Sequence, residues 1–103
     1  MTGNYKLEGR NVVPVENLLE WGNWFEKADR QVGLTKIGEE IRVSTVFLGI
    51  DHNFGSVARH PVLFETMVFG GPLDGEQERY CTYDEAEKGH ALMVDRVREA
   101  MKA

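Results

Sequence analysis

"RQVGLTKIGEEIRVSTVFLGI", Arg30 to Ile50, decides the fold. Two runs rich in β-branched and apolar residues flank Gly38-Glu39, and such residues fit the pleated, half-buried surface of a sheet. Glycine at the first of two central turn positions is the type II′ pattern, so the stretch predicts a hairpin with a two-residue turn. That register sets Lys36 opposite Ile41, Leu34 opposite Val43 and Val32 opposite Thr45. Side chains alternate along a strand, so one face is expected to carry Val32, Leu34, Ile41, Val43, Thr45 and Phe47.

The rest of the chain arranges itself around this hairpin. "VLFETMVF", Val62 to Phe69, reads as a further strand, and the turn-rich "GGPLDGEQ" leads from it into a short last strand, "ERYCT". "PVENLLEWGNWFEKAD", Pro14 to Asp29, reads as a helix with Pro14 in its first turn and Glu16 near the positive end of its dipole. Leu18, Trp21, Phe25 and Ala28 recur there at steps of three and four, with Trp24 flanking them. "TYDEAEKGHALMVDRVREAM" begins with a capping box, Thr82 followed by Glu85. Ala86, His90, Met93, Val97 and Met101 continue it at helical spacing. "YKLEGRNVV", Tyr5 to Val13, reads as an extended opening segment with a turn near Gly9, and Asp51 to Pro61 is the longest irregular stretch. The expectation is a single α+β domain over residues 1–103. Its order is helix, about four strands in one antiparallel sheet, helix, with both amphipathic helices on one face.

Composition narrows the function. The 103 residues are 42% hydrophobic and 28% charged, as in soluble globular domains. The net charge of −5 opposes broad binding to phosphate backbones, which needs clustered cations. Cys81 is the one cysteine, so neither an internal disulfide nor a cysteine-based zinc site can be assembled, and a reducing compartment is implied. No apolar stretch approaches the ~20 residues that span a bilayer, and "MTGNYKLEGR" has no apolar signal core. Residence in the cytoplasm, without a membrane partner, is expected.

Four residues are the candidates for chemistry. Glu65 lies inside "LFETMVF" with Leu63 and Met67 two residues away, where a carboxylate needs a partner or a proton. It reads as a general base or metal ligand with a raised pKa, or as half of a cross-strand ion pair with Arg79. Asp51 and His52 end a strand before a glycine-containing loop, a common seat of function, although Asp51 can equally bond backbone amides. With His60 and Glu65 they form a set able to bind a divalent ion, but the spacing fits no metal signature, so no metal site is assigned. His90 sits on the apolar stripe of the last helix and reads as a packed histidine or a base. Gly89 beside it, and Gly22 in the first helix, each cost roughly 1 kcal/mol against alanine, which implies close approach of the helices to a neighbour. Cys81 reads as a buried structural thiol, or as one lowered in pKa by Arg79. Trp24, Arg79 and Tyr80 are the candidate binding residues, Trp24 as an interface anchor if exposed. There is no phosphate loop, dinucleotide fingerprint or nucleophile elbow, and no cofactor is implied.

The segments "RVSTVFLGIDHNFG", "VLFETMVFGG" and "ERYCTYDEAEKGHALMV", with "VENLLEWGNWFEKADRQV" before them, resemble a family of small, uncharacterised proteins encoded by bacteriophages and prophages. The resemblance covers most of the chain and implies a phage accessory protein acting in the bacterial host cytoplasm, with no site residue carried over. The order of elements is also similar to that of double-stranded RNA-binding domains, but their second helix opens with lysines where this one opens "TYDEAEKG", which repels phosphate. The functional expectation is a non-enzymatic accessory protein that binds a host protein, such as a defence component, or a small ligand, with a homodimer a further expectation. The alternatives are a small hydrolase or metal-dependent enzyme using Asp51, His52, Glu65 and His90, and a structural component of the virion or its assembly.

Overall fold

The computed structural model describes residues 3–52 and 60–102. The stretch expected to be irregular thus lies mostly, at 53–59, outside the described residues. The chain is α+β. Strands β1 (Tyr5–Glu8) and β2 (Asn11–Pro14) form a hairpin across Gly9-Arg10, where an extended segment with a turn near Gly9 is expected. Helix α1 (Leu18–Lys27) follows. Strands β3 (Gln31–Ile37), β4 (Ile41–Phe47), β5 (Phe64–Phe69) and β6 (Gln77–Tyr80) then form an antiparallel meander in that spatial order, and α2 (Tyr83–Met101) closes the fold.

Helix α1 is shorter than its periodicity predicts. Asn17 caps it by accepting the Glu20 N–H at 2.9 Å, and Pro14 ends β2 instead of opening the helix. A side-chain oxygen aimed at the orphan amides of the first turn outweighs a proline's preset φ. Trp21 and Phe25 pack on each other with centroids 4.7 Å apart, and Trp24 meets Phe47 edge-on at 5.9 Å. The Trp21 indole N–H donates to the Tyr5 carbonyl at 2.9 Å, so α1 is tied to β1 and to the end of the sheet.

The β3–β4 register differs from the expected one by a residue. The loop is three residues long, Gly38 to Glu40, with Gly38 at φ +65°, and the pairs are Ile37–Ile41, Thr35–Val43 and Gly33–Thr45. A slip of one residue exchanges the two faces of a strand. Gly33, Thr35 and Ile37 therefore join Ile41, Val43, Thr45 and Phe47 beneath α2, while Leu34 turns to the opposite face and is 48% exposed. A bulge between Gln31 and Gly33 absorbs Val32.

Helix α2 carries the sheet's main packing and contacts all four of its strands. Its Thr82–Glu85 capping box forms as the sequence predicts. Two apolar clusters lie under it. One joins Ile41, Val43 and Val68 to Met93, Val94 and Val97, and the other joins Phe47, Leu63 and Phe64 to Ala86. Fully burying such side chains contributes about 1.5–3 kcal/mol each.

The two helical glycines differ. A Cβ on Gly89 would lie 2.3 Å from atoms of the Tyr80 ring and hydroxyl, so this glycine does mark close approach of helix to sheet. A Cβ on Gly22 would meet nothing within 4 Å, and no contact explains that glycine. Gly22→Ala should raise unfolding stability by about 0.5–1 kcal/mol through helix propensity alone. Gly89→Ala should lower it by about 1–3 kcal/mol, because the displaced ring outweighs the same gain in propensity. Urea titrations of the two variants check the opposite signs.

Candidate functional site

Beneath α2 a line of polar side chains crosses the sheet between the two apolar clusters. Tyr80 on β6 donates its hydroxyl to Thr66 Oγ1 on β5 at 3.1 Å. Thr66 and Thr45 Oγ1 on β4 are 2.5 Å apart. Thr45 Oγ1 lies 2.7 Å from His90 Nδ1, and His90 Nε2 lies 2.9 Å from Thr35 Oγ1 on β3. Local structure places each member. Thr45 and Thr66 are register partners, and Gly33 is the next position in the same row, where the His90 ring lies against the bare backbone. Gly89 admits the Tyr80 ring on the other side of α2.

The protons can be assigned. A hydroxyl has one proton and two lone pairs. Thr66 is fully buried and accepts from Tyr80, so its own proton has Thr45 as its acceptor. Thr45 then donates to His90 Nδ1, and the ring proton sits on Nε2 and is given to Thr35. The chain runs one way, from Tyr80 to Thr35, around a neutral imidazole. An imidazolium would donate from both nitrogens and force Thr45 and Thr66 to reverse. Burial independently lowers the His90 pKa from its ordinary value. Burial also raises the Tyr80 pKa, against the Thr66 bond and with help from Glu78. A shallow cavity of about 200 Å³, lined by Glu78, Tyr80, Gly89, Leu92, Met93 and Arg96, lies beside the Tyr80 end.

The four sequence candidates for chemistry do not form one site. Glu65 faces away from α2 and is held by its register partner, with Arg79 Nε donating to Oε2 at 3.0 Å. This is the cross-strand pair that the sequence allows. Asp51 Oδ1 accepts the Val62 N–H at 2.9 Å, and the His52 N–H donates to the Val62 carbonyl at 3.0 Å. The two residues thus extend the β4–β5 alignment past the strand ends, with the His52 side chain exposed. His60 is also exposed. Among the described residues, no three His, Cys, Asp or Glu side chains are grouped to hold a metal ion. Burial raises the Cys81 pKa, with Glu85 and Asp51 adding to it, which is opposite to the lowering expected from Arg79. Trp24 is half-buried against Phe47 and Phe25, in packing rather than on a free surface.

Sequence reasoning missed Thr35, Thr45 and Thr66, because threonine in a strand reads as β propensity. The glycine preceding His90 was the available signal. Arg10, also unremarked, reaches from the hairpin turn to Glu87 at 2.9 Å and to Asp84, and stacks 4.3 Å over Tyr83. Its hydrogen bonds hold both carboxyls below their usual range. No family model, curated protein or solved structure shows significant similarity to the chain. Among the described residues, no helix is long and apolar enough to cross a membrane.

Two predictions concern this line of residues. Thr45→Val should cost about 1–3 kcal/mol, since it strands the Thr66 proton and His90 Nδ1. Adding Thr66→Val should cost less than the sum of the single changes, as denaturation of the double-mutant cycle would show. The pH dependence follows from the depressed His90 pKa. The unfolded chain binds this proton more readily, so the stabilisation is complete above the ordinary histidine value of about 6.5 and is lost as pH falls through the folded value. His90→Gln should flatten stability over that window, as urea titrations at a series of pH values would show.

Proposed function

We propose that the protein is a non-enzymatic binding protein, a phage-type accessory factor that acts in the host cytoplasm by docking on another protein. One observation carries the reading: of the four candidates for acid–base work, His90, Glu65 and Asp51 are engaged by other side chains or by backbone at separate places, and His52 lies exposed apart from them. Both His90 nitrogens face threonine hydroxyls, Glu65 faces Arg79, and Asp51 holds the Val62 amide. Catalysis by these groups would need them to converge on one reacting atom, and Glu65 lies on the face turned away from His90. Binding of a small ligand is less well supported. Among the described residues, every buried side-chain nitrogen or oxygen has a partner within the chain, so a ligand would have to be held by groups at the surface.

Native mass spectrometry of gently purified protein tests this. The expected spectrum contains the 11.7 kDa chain, free or with a protein partner, and no stoichiometric small adduct. A bound ion or nucleotide-sized adduct that disappears in His52→Ala or Glu65→Gln would overturn the reading in favour of a ligand site or an enzyme.

A further inference from the structure

The face of the four-stranded sheet turned away from α2 is ordered by its register into three rows. The middle row is Leu34, Ser44, Met67 and Gln77. On one side lie Lys36, Arg42 and Phe69, and on the other Gln31, Val46, Glu65 and Arg79. Leu34 is 48% and Phe69 39% exposed, and Val46 and Met67 are half-buried. Three cations stand against one carboxylate, and that carboxylate is taken by Arg79. Among the described residues neither Lys36 nor Arg42 makes an ion pair, although Glu39 and Glu40 sit nearby at the turn. Arg42 instead lies 4.6 Å over the Phe69 ring. A chain of net charge −5 thus presents a face that is locally cationic and apolar at its centre.

We propose that this face receives an amphipathic helix of a partner protein, with its apolar stripe over Leu34, Met67 and Val46 and its carboxylates over Lys36 and Arg42. The proposal rests on the binding-protein reading and names its surface. Size selects a helix. Four strands about 4.8 Å apart make a floor roughly 15–20 Å wide. One helix, about 10–12 Å across, covers most of it. The floor is too small for a standard interface of about 800 Å² per partner, so the contact is a weak, exchanging one. The helix would complete a second layer matching α2 on the other side. Charge selects acid: two unpaired cations attract carboxylates directly opposite them. They are too few to release the counterions that hold nucleic acid, and the net negative charge of the chain opposes a polyanion.

The test uses three probes on isotopically labelled protein: an 18-residue amphipathic helical peptide flanked by glutamates, the same peptide flanked by lysines, and a single-stranded oligonucleotide. The glutamate peptide is expected to shift the resonances of Leu34, Ser44, Met67 and Phe69 saturably, at least tenfold more tightly than the lysine peptide. Lys36→Glu with Arg42→Glu should reverse that order and leave the fold intact, since both side chains are exposed. Shifts elsewhere, no preference between the peptides, tighter binding of the oligonucleotide, or self-association that covers the face would each overturn the proposal. Cross-linking in host lysate before capture, which traps exchanging contacts, separates the two readings. A partner retained equally by wild type and the double variant overturns this surface but leaves the binding reading standing. A wild-type chain that retains no partner overturns both.

Discussion

The pair of buried hydroxyls at Thr45 and Thr66, with the His90 ring set over Gly33 beside them, is the constraint around which the rest is arranged. Polar atoms under a helix are costly unless every bond is made, roughly 1–3 kcal/mol for each group left unpaired. Here the bonds exist in one register only. Thr45 must face Thr66, Gly33 must lie next in the row, and Thr35 must be within reach of Nε2. Apolar contacts between β-branched side chains discriminate such registers weakly, since valine packs tolerably beside valine. The polar line discriminates strongly, because a slip leaves donors and acceptors without partners.

The same line organises the apolar core on either side of it. Along β4 the inward residues run Val43, Thr45, Phe47, and along β5 they run Val68, Thr66, Phe64. Aliphatic side chains gather at one end with Met93, Val94 and Val97, and aromatic ones at the other with Ala86. The aromatic end is where the two N-terminal elements attach, through Trp24 on Phe47 and Arg10 on Tyr83. No residue of α1 is fully buried, and the ion pairs of Arg10 are exposed and therefore contribute little each. The hairpin also packs Tyr5, Leu7 and Val12 against the aromatic cluster, while α2 and the meander supply the fully buried residues of both clusters.

What could be read from the sequence follows the range of the interactions. The capping box is local, three residues apart, and appears as written. Glu65 and Arg79 are adjacent in a short meander, so their pairing follows from topology alone. The class of fold follows from the alternation of periods along the chain. Gly38-Glu39 satisfies a two-residue turn locally, whereas the three-residue loop brings Thr35 and Gly33 against His90, more than fifty positions away and invisible to a local pattern. The helix start differs for a related reason: Pro14 is acceptable in a first turn, but its pairing with Tyr5 across the β1–β2 hairpin is a contact between elements. Of the site, His90 and Gly89 were visible as departures from pattern. The threonines were not, since each is an ordinary strand residue until its partners across the sheet are known.

The exposed apolar side chains on the open face follow from the same register. The alignment expected from the turn would place Val32 and Leu34 beneath α2, where a leucine gains up to about 1.5–3 kcal/mol by burial. The observed alignment gives up part of that gain at Leu34, which stays about half exposed. In return it seats the imidazole on Gly33 and supplies Thr35 as its second partner. The loss at Leu34 is of order 1 kcal/mol, while the slipped alignment would leave two ring nitrogens and a buried hydroxyl to find new partners, at 1–3 kcal/mol each. The polar line therefore wins, and Leu34 is turned outward beside Met67. Inward polarity and outward apolarity are two consequences of one choice of residue parity in β3, and this choice gives the open face the apolar centre on which docking would depend.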